Sequence, residues 1–314
     1  MTHPAATYAS VTSHGAGLLP PREDGKLLIS GTDAAQLLDG QLSNDVAGLD
    51  QGSGCAAALL TGKGRMLAPV RVLRRADGYL LLTERATLQT VFDRLRSGAL
   101  GWDAEIGKLT LELARIELIG PASEAVAATA GYSVPGPAVH ACTDDSVRTE
   151  DGIELLVPAA AESDARERLR AAGALDATRE LAEIVRIEAG RPRWGAELDE
   201  QTMPEEAGIV DQLVSFTKGC YVGQETVARL HWKGRPNRRL RLLQLNEPAE
   251  AGAAVLSADG ERELGAVSSA ALSPEHGPLA LAMLRREAEP GDNVLAGGVS
   301  AIVAAAPVPR TGTV

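Results

Sequence analysis

Aromatic residues are scarce in this 314-residue chain: two Phe, four Tyr and three Trp. Single-stranded nucleic acid is held by bases stacked on aromatic rings along a cationic groove. Neither ingredient is in supply, because Asp and Glu outnumber Lys and Arg by 42 to 31. A net charge of -11 opposes general phosphate binding, so stable nucleic-acid binding is not expected. Cysteine is equally sparse. Cys55, Cys142 and Cys220 form no C-x-x-C or Cys/His ligand spacing, which argues against a disulfide framework and against a self-contained zinc or iron-sulfur site. No metal site is expected. Long apolar runs are missing too: no stretch approaches the roughly 18 residues of a membrane span. The first 17 residues lack a basic start followed by an apolar segment. A soluble, cytoplasmic protein with no membrane partner is expected.

What is present suits an ordinary globular chain of two or three domains, with 45% apolar and 23% charged residues. The pattern predicts an α+β organisation. Residues 1–25 read as irregular, Lys26 to Ser30 as a strand entering a helix over Asp33 to Leu38. An internal echo follows. Asp77-Gly78 separates two strands and precedes a helix ending Arg94-Leu95-Arg96; Asp151-Gly152 precedes an apolar strand and a helix ending Arg168-Leu169-Arg170. Two pseudo-symmetric β-β-α halves with a cleft between them explain this order. Beyond residue 236, short apolar stretches alternate with turn signals at Asp259-Gly260, Pro290-Gly291 and Gly297-Gly298, the spacing of a small C-terminal β-barrel. The expected segments are residues 1–110, 111–235 and 236–314.

Chemistry concentrates in residues 179–235. The spacing predicts a helix from about Arg179 to Ala189, with Thr178 as N-cap and Gly190 as C-cap. With Leu181 at zero, Glu188 falls near about 340°, inside the apolar stripe. A carboxylate there has to be paired or to accept hydrogen bonds. An internal ion pair with Arg191 or Arg193 is the plain reading; a carboxylate taking adjacent N–H groups of a ligand heterocycle is the functional one. Cys220 stands between Gly219 and Tyr221, ahead of a helix-forming run, where a helix N-terminus and Lys218 favour a thiolate. It is the candidate reactive residue. Arg229, Lys233, Arg235, Arg238, Arg239 and Arg241 form a run without an acidic residue, either a solvated linker or an anion site. His231 and Trp232 read as packing residues, and Cys55 and Cys142 as core or loop residues.

These residues carry a resemblance. Arg186-Ile187-Glu188-Ala189-Gly190-Arg191-Pro192, Gly195-Ala196-Glu197, Pro204-Glu205 and the segment Val214 to Glu225, containing Lys218-Gly219-Cys220-Tyr221-Val222-Gly223-Gln224-Glu225, resemble the YgfZ family, as do Ala228-Arg229, Gly40 to Val46 and Leu60 to Arg65. That family is similar to the glycine-cleavage T-protein. The resemblance implies a T-protein-like three-domain ring that binds tetrahydrofolate or a derivative. It also implies an accessory role in assembly or repair of iron-sulfur enzymes, including tRNA-modifying ones, with folate and iron-sulfur client or assembly proteins as partners. By position, Glu188 resembles the pterin-recognising carboxylate, and Arg238 or Arg239 the contact to the glutamate tail. Cys220 is the motif thiol, flanked by Lys218, Gly219, Tyr221, Gly223, Gln224 and Glu225, with Arg229 downstream. The T-protein's aspartate after a Gly-rich turn has no counterpart in Gly64 to Val70. An accessory protein is therefore expected rather than a classical enzyme; the alternative is a folate-dependent, aminomethyltransferase-like transferase. Asp45 could in principle replace the aspartate, although a turn is the commoner use of Asn44-Asp45.

Overall fold

A computed structural model describes residues 4–305 and divides the chain into two compact units. The first takes the chain up to Arg179 together with Asp211–Gln224; the second takes Glu180–Val210 and the described residues from Glu225 on. The chain begins α1 (Pro4–Ser13), β1 (Gly17–Leu18), β2 (Asp24–Ser30), α2 (Ala34–Gln41), β3 (Gly54–Leu60), β4 (Met66–Arg75), β5 (Gly78–Glu84), α3 (Leu88–Gly98) and β6 (Glu105–Lys108). A second series follows: β7 (Leu113–Ile119), α4 (Ser123–Thr129), β8 (Ser146–Arg148), β9 (Gly152–Pro158), α5 (Glu162–Ala171) and β10 (Leu175–Asp176). After α6 (Arg179–Glu188), α7 (Val210–Leu213) and α8 (Gln224–Lys233) come the strands β11 (Arg238–Leu245), β12 (Ala254–Ser257), β13 (Glu263–Ser273), β14 (Gly277–Arg285), β15 (Asn293–Ala296) and β16 (Val299–Ala304).

The internal echo is structural. One sheet runs β3-β4-β5-β2-β6 and the other β10-β1-β7-β9-β8, so β2-α2-β4-β5-α3 in one half matches β7-α4-β8-β9-α5 in the other. Apolar positions at period two place Leu27, Ile29, Val70, Val72 and Leu81 under α2 and α3. In the second half Ile116, Leu118, Ile153 and Leu155 pack against α4 and α5 in the same way. The opposite faces meet through Leu73, Leu80 and Leu82 of one half and Val147 and Leu156 of the other. Both Asp-Gly glycines are required by close approach. A Cβ on Gly78 would lie 2.4 Å from the Ile29 carbonyl oxygen, and one on Gly152 would lie 2.3 Å from that of Leu118.

In the second unit, β11-β14-β13-β12-β15-β16 closes into a barrel, filled by Leu243, Val255, Val267, Leu284, Val294 and Val303. Ile187 of α6 packs on its outer face against Leu242, Leu279 and Leu281. The α+β fold with paired halves and a C-terminal barrel is thus as expected. The expected boundary at 110 falls between β6 and β7 inside one compact unit, and β1, which precedes it, belongs to the second sheet. One expectation fails: residues 1–25 are not irregular throughout, because α1 occupies Pro4–Ser13. Its Ala- and Ser-rich surface gives no broad apolar stripe, and among its described side chains only Tyr8 and Val11 are buried, at 4% and 0% exposure. Among the described residues no helix is long and apolar enough to cross a membrane.

Candidate functional site

Three sequence pieces far apart in the chain converge in the first unit. The last turn of α2 ends with carbonyls that have no partner within the helix. Lys218 supplies one: its Nζ donates to the carbonyl oxygens of Asp39, Leu42 and Asn44 at 2.5, 3.0 and 2.8 Å. The ammonium also pairs with the Asp39 carboxylate at 3.0 Å, and its side chain is 2% exposed. Ser43 and Asn44 hold the approach to the loop, with Ser43 Oγ donating to the Leu213 carbonyl at 2.6 Å and Asn44 Nδ2 to that of Gln212 at 3.1 Å. At the loop's far end Gly223 is at φ +91°, and a Cβ there would stand 2.5 Å from the Thr61 carbonyl oxygen. The pieces 40–46, 60–65 and 214–223 therefore build one feature.

On that pinned loop, side chains alternate in and out. Cys220 is exposed. Tyr221 is 7% exposed, its hydroxyl has no hydrogen-bond partner among the described residues, and burial pushes its pKa up to about 12. The Lys218 ammonium lies 5.4 Å from the Tyr221 ring centroid. Lys218, expected to favour a Cys220 thiolate, thus directs its donors to the end of α2. The other cysteines are of a different kind. Burial raises the Cys55 thiol to about 12, against an opposing pull from Lys218. Cys142 is buried, with its sulfur on the carbonyls of Ser53 and Arg74. Asp45 accepts from Gly48 N at 2.8 Å, the turn use anticipated for it. Gly64 to Val70 carry no carboxylate.

The second unit holds the other motif residues. Gly190, at φ +67°, closes α6 as expected, with Arg191 N donating to the Arg186 carbonyl at 3.1 Å. Glu188 is 2% exposed, and its Oε1 accepts from Ser273 Oγ of β13 at 2.6 Å. Glu197, at 4% exposure, accepts from Arg186 Nη1 at 3.0 Å, Arg193 N at 3.1 Å and Ser268 Oγ at 3.0 Å. Arg186 also donates to Ser269 Oγ at 2.8 Å, so this motif fastens α6 and its following turn to β13. Of the two tail candidates, Arg238 donates to Glu206 at 3.0 Å and to the Gln201 carbonyl at 3.2 Å. Arg239, half-buried beside it on β11, makes no ion pair among the described residues. Arg229 is exposed on α8, and Arg241 pairs with Glu289 at 2.6 Å.

Sequence reasoning missed a buried charge network between the halves of the first unit. Asp24 pairs with Lys26 and, at 2.6 Å, with Arg115. Glu154 pairs with Arg71 across the halves and lies 3.6 Å from Arg115. Arg22 reaches Glu84 at 2.8 Å, and Glu117 takes Arg179. The available signal was a charge at inward positions of otherwise apolar strands, as in Arg115 and Glu154. Burial alone raises the Glu154 carboxyl, but the guanidinium groups of Arg115 and Arg71 outweigh it and hold it below the ordinary range. His140 faces the same region, its pKa lowered to about 4 by burial and then by Arg71. Both shifts have the same sign for stability, since the unfolded chain binds the proton more readily. His140's contribution fades as pH falls from about 6.5 towards about 4, and Glu154's is lost at still more acid pH, as pH drops from the ordinary carboxylate range through its folded pKa. Thermal melts are expected to show a midpoint that decreases from pH 7 to 5 and more steeply below 4.5; a flat profile over that range would contradict the assignment. Among the described residues no group of three or more His, Cys, Asp or Glu is placed to hold a metal ion.

Comparison with known proteins agrees with the fold. Residues 5–134 match the model of the GCVT N-terminal domain. An aminomethyltransferase of Rubrobacter xylanophilus is 30% identical over 294 residues, covering 89% of this chain and 79% of that protein. A protein named tRNA-modifying protein YgfZ, from Serratia proteamaculans, is 29% identical over 249 residues, 75% of this chain and 73% of that protein. The crystal structure of the glycine cleavage system aminomethyltransferase T from Bartonella henselae superposes with a TM-score of 0.86 at 23% identity, over 98% of this chain and 91% of that one, a likeness of fold. With the β-α-β-β-α repeat, the closed barrel and this degree of identity together, the chain belongs to the GCVT aminomethyltransferase family.

Proposed function

We propose that this chain is a tetrahydrofolate-binding accessory protein of the YgfZ type, serving the assembly or repair of iron-sulfur enzymes, tRNA-modifying ones among them, with Cys220 as its working thiol. Tetrahydrofolate or a derivative is what members of the family bind. The observation that carries the reading is the exposed Cys220 on a loop whose neighbours Lys218 and Tyr221 turn inward and fix it. An accessible thiol on a rigid support suits transient contact with a cluster, a persulfide or a partner thiol. The absence of a carboxylate over Gly64 to Val70 favours this over aminomethyl transfer. Without such a group, acid–base assistance of about 100-fold to 10,000-fold is missing. The relative named YgfZ supports it further.

The residues present suit the cofactor in kind. Glu188 is a buried carboxylate held by Ser273, the acceptor that adjacent N–H groups of a pterin require. Arg239 is a cation without an ion pair among the described residues, suited to the glutamate tail, whereas Arg238 is engaged by Glu206. Bound tetrahydrofolate would supply a carrier for a one-carbon unit. Titration of the purified protein with tetrahydrofolate tests this. Glu188→Gln is expected to weaken binding by about 1–3 kcal/mol, and Arg239→Ala more than Arg238→Ala. Unchanged isotherms for both Glu188→Gln and Arg239→Ala would place the cofactor elsewhere.

A second reading, a folate-dependent one-carbon transferase, draws on the relative named aminomethyltransferase. It predicts turnover of methylene-tetrahydrofolate by the purified chain and indifference to Cys220→Ala.

A further inference from the structure

Turn chemistry builds the hairpin that joins β13 to β14 in the second unit. Ser273 pairs with Gly277 across it, leaving Pro274, Glu275 and His276 as the loop, and Gly277 takes the left-handed backbone, at φ +72°, that returns the chain into β14. Serine followed by proline suits the start of such a turn, because the serine oxygen can accept N–H groups a few residues on. Here it accepts two. Glu275 N donates to Ser273 Oγ at 3.1 Å and His276 N at 2.9 Å.

A hydroxyl has two lone pairs and one hydrogen. With both lone pairs taken by backbone donors, Ser273 has only its hydrogen left to offer, and the turn fixes where that hydrogen points. It goes to Glu188 Oε1 at 2.6 Å, between residues 3% and 2% exposed. The other serines of β13 act differently: Ser269 Oγ accepts from Arg186, and Ser268 Oγ lies within donor reach of Glu197. Those bonds tie down α6 and its following turn, whereas Ser273 meets the carboxylate of Glu188 itself. Glu188 is the last residue of α6, and Ile187 before it is seated on Leu242, Leu279 and Leu281. Packing therefore fixes the backbone there, but the torsions of a glutamate side chain remain to be ordered, which costs affinity unless it is done before a ligand arrives.

We infer that Ser273 is a positioning residue for ligand recognition: the β13–β14 turn aims its hydroxyl hydrogen at Glu188 and so holds that carboxylate oriented in advance. A neighbour that can only donate also favours an acceptor at Glu188, which suits a ligand edge rich in N–H groups rather than one that presents lone pairs. The inference rests on the folate reading and adds to it the residue that orients the recognising carboxylate.

Titration of the full chain with tetrahydrofolate, in a double-mutant cycle of Ser273→Ala and Glu188→Gln, tests it. Ser273→Ala is expected to weaken binding about threefold to tenfold, and to add less than about twofold once Glu188 is replaced. Ser273→Thr keeps the hydroxyl on a strand end that accepts β-branching, and is expected to restore wild-type affinity. A merely structural serine would shift the melting midpoint without this coupling to Glu188. Ser273→Cys keeps the shape with only a weak S–H donor, and carries the same comparison if the alanine variant fails to fold. Equal affinity in Ser273→Ala and wild type, or a loss that persists in full beside Glu188→Gln, would overturn the inference and leave the cofactor reading standing. Absence of saturable binding by the wild type would overturn both.

Discussion

Lys218→Ala is expected to destabilise the protein by about 3–5 kcal/mol, the range for removing one partner of a buried ion pair. The side chain is 2% exposed and its ammonium serves three carbonyls and one carboxylate. Alanine leaves the Asp39, Leu42 and Asn44 carbonyls without that donor and leaves Asp39 with an uncompensated charge, and each loss adds a desolvation penalty. The loop 214–223 loses its tie to α2 at the same step. Urea unfolding followed by circular dichroism checks the size. Limited proteolysis checks the place, with new cleavage expected in residues 214–223. A change below about 1 kcal/mol, the scale of an exposed pair, would show that the ammonium does not hold this loop.

Gly223→Ala is expected to cost about 2–5 kcal/mol, combining left-handed backbone strain with overpacking. The Cβ would approach the Thr61 carbonyl oxygen to 2.5 Å and the Gly64 Cα to 3.4 Å, and neither backbone group can swing aside as a side chain does. Gly219→Ala is the internal control. Among the described residues no heavy atom beyond its own residue and its two chain neighbours lies within 4 Å of its added Cβ, so its melt is expected to match wild type within about 0.5 kcal/mol. Two glycines of one motif thus separate: Gly223 is needed by the fold, and Gly219 leaves open space beside Cys220. Equal destabilisation by the two substitutions would contradict that division.

Much of the fold was legible because its signals are local. Asp77-Gly78 and Asp151-Gly152 sit between apolar runs, and the same turn chemistry gives the same hairpin twice. The barrel announced itself through regularly spaced turns, and α6 through its stripe and Gly190. Long-range effects were not legible. Lys218 lies two residues from Cys220 in sequence, yet its partners Asp39 and Leu42 are 179 and 176 positions away. Nothing in the local pattern shows that a distant helix end recruits it. The Arg71–Glu154 pair, 83 positions apart, was hidden for the same reason, since neither strand carries a local sign of which distant charge its own will meet. Sequence could not choose between Arg238 and Arg239 either; Glu206, which engages the former, lies 32 positions upstream. Helix α1 escaped because its contact with the core rests on two residues.

If the proposed function holds, the accessible sulfur of Cys220 performs the protein's work while the fold and the cofactor site stand without it. The direct measurement is a paired assay of wild type and Cys220→Ala: activity of a cluster-dependent tRNA-modifying enzyme in cells that depend on this protein, and tetrahydrofolate affinity of the purified chains. Loss of the supported activity is expected, with affinity and melting midpoint unchanged. Full activity in Cys220→Ala would contradict it.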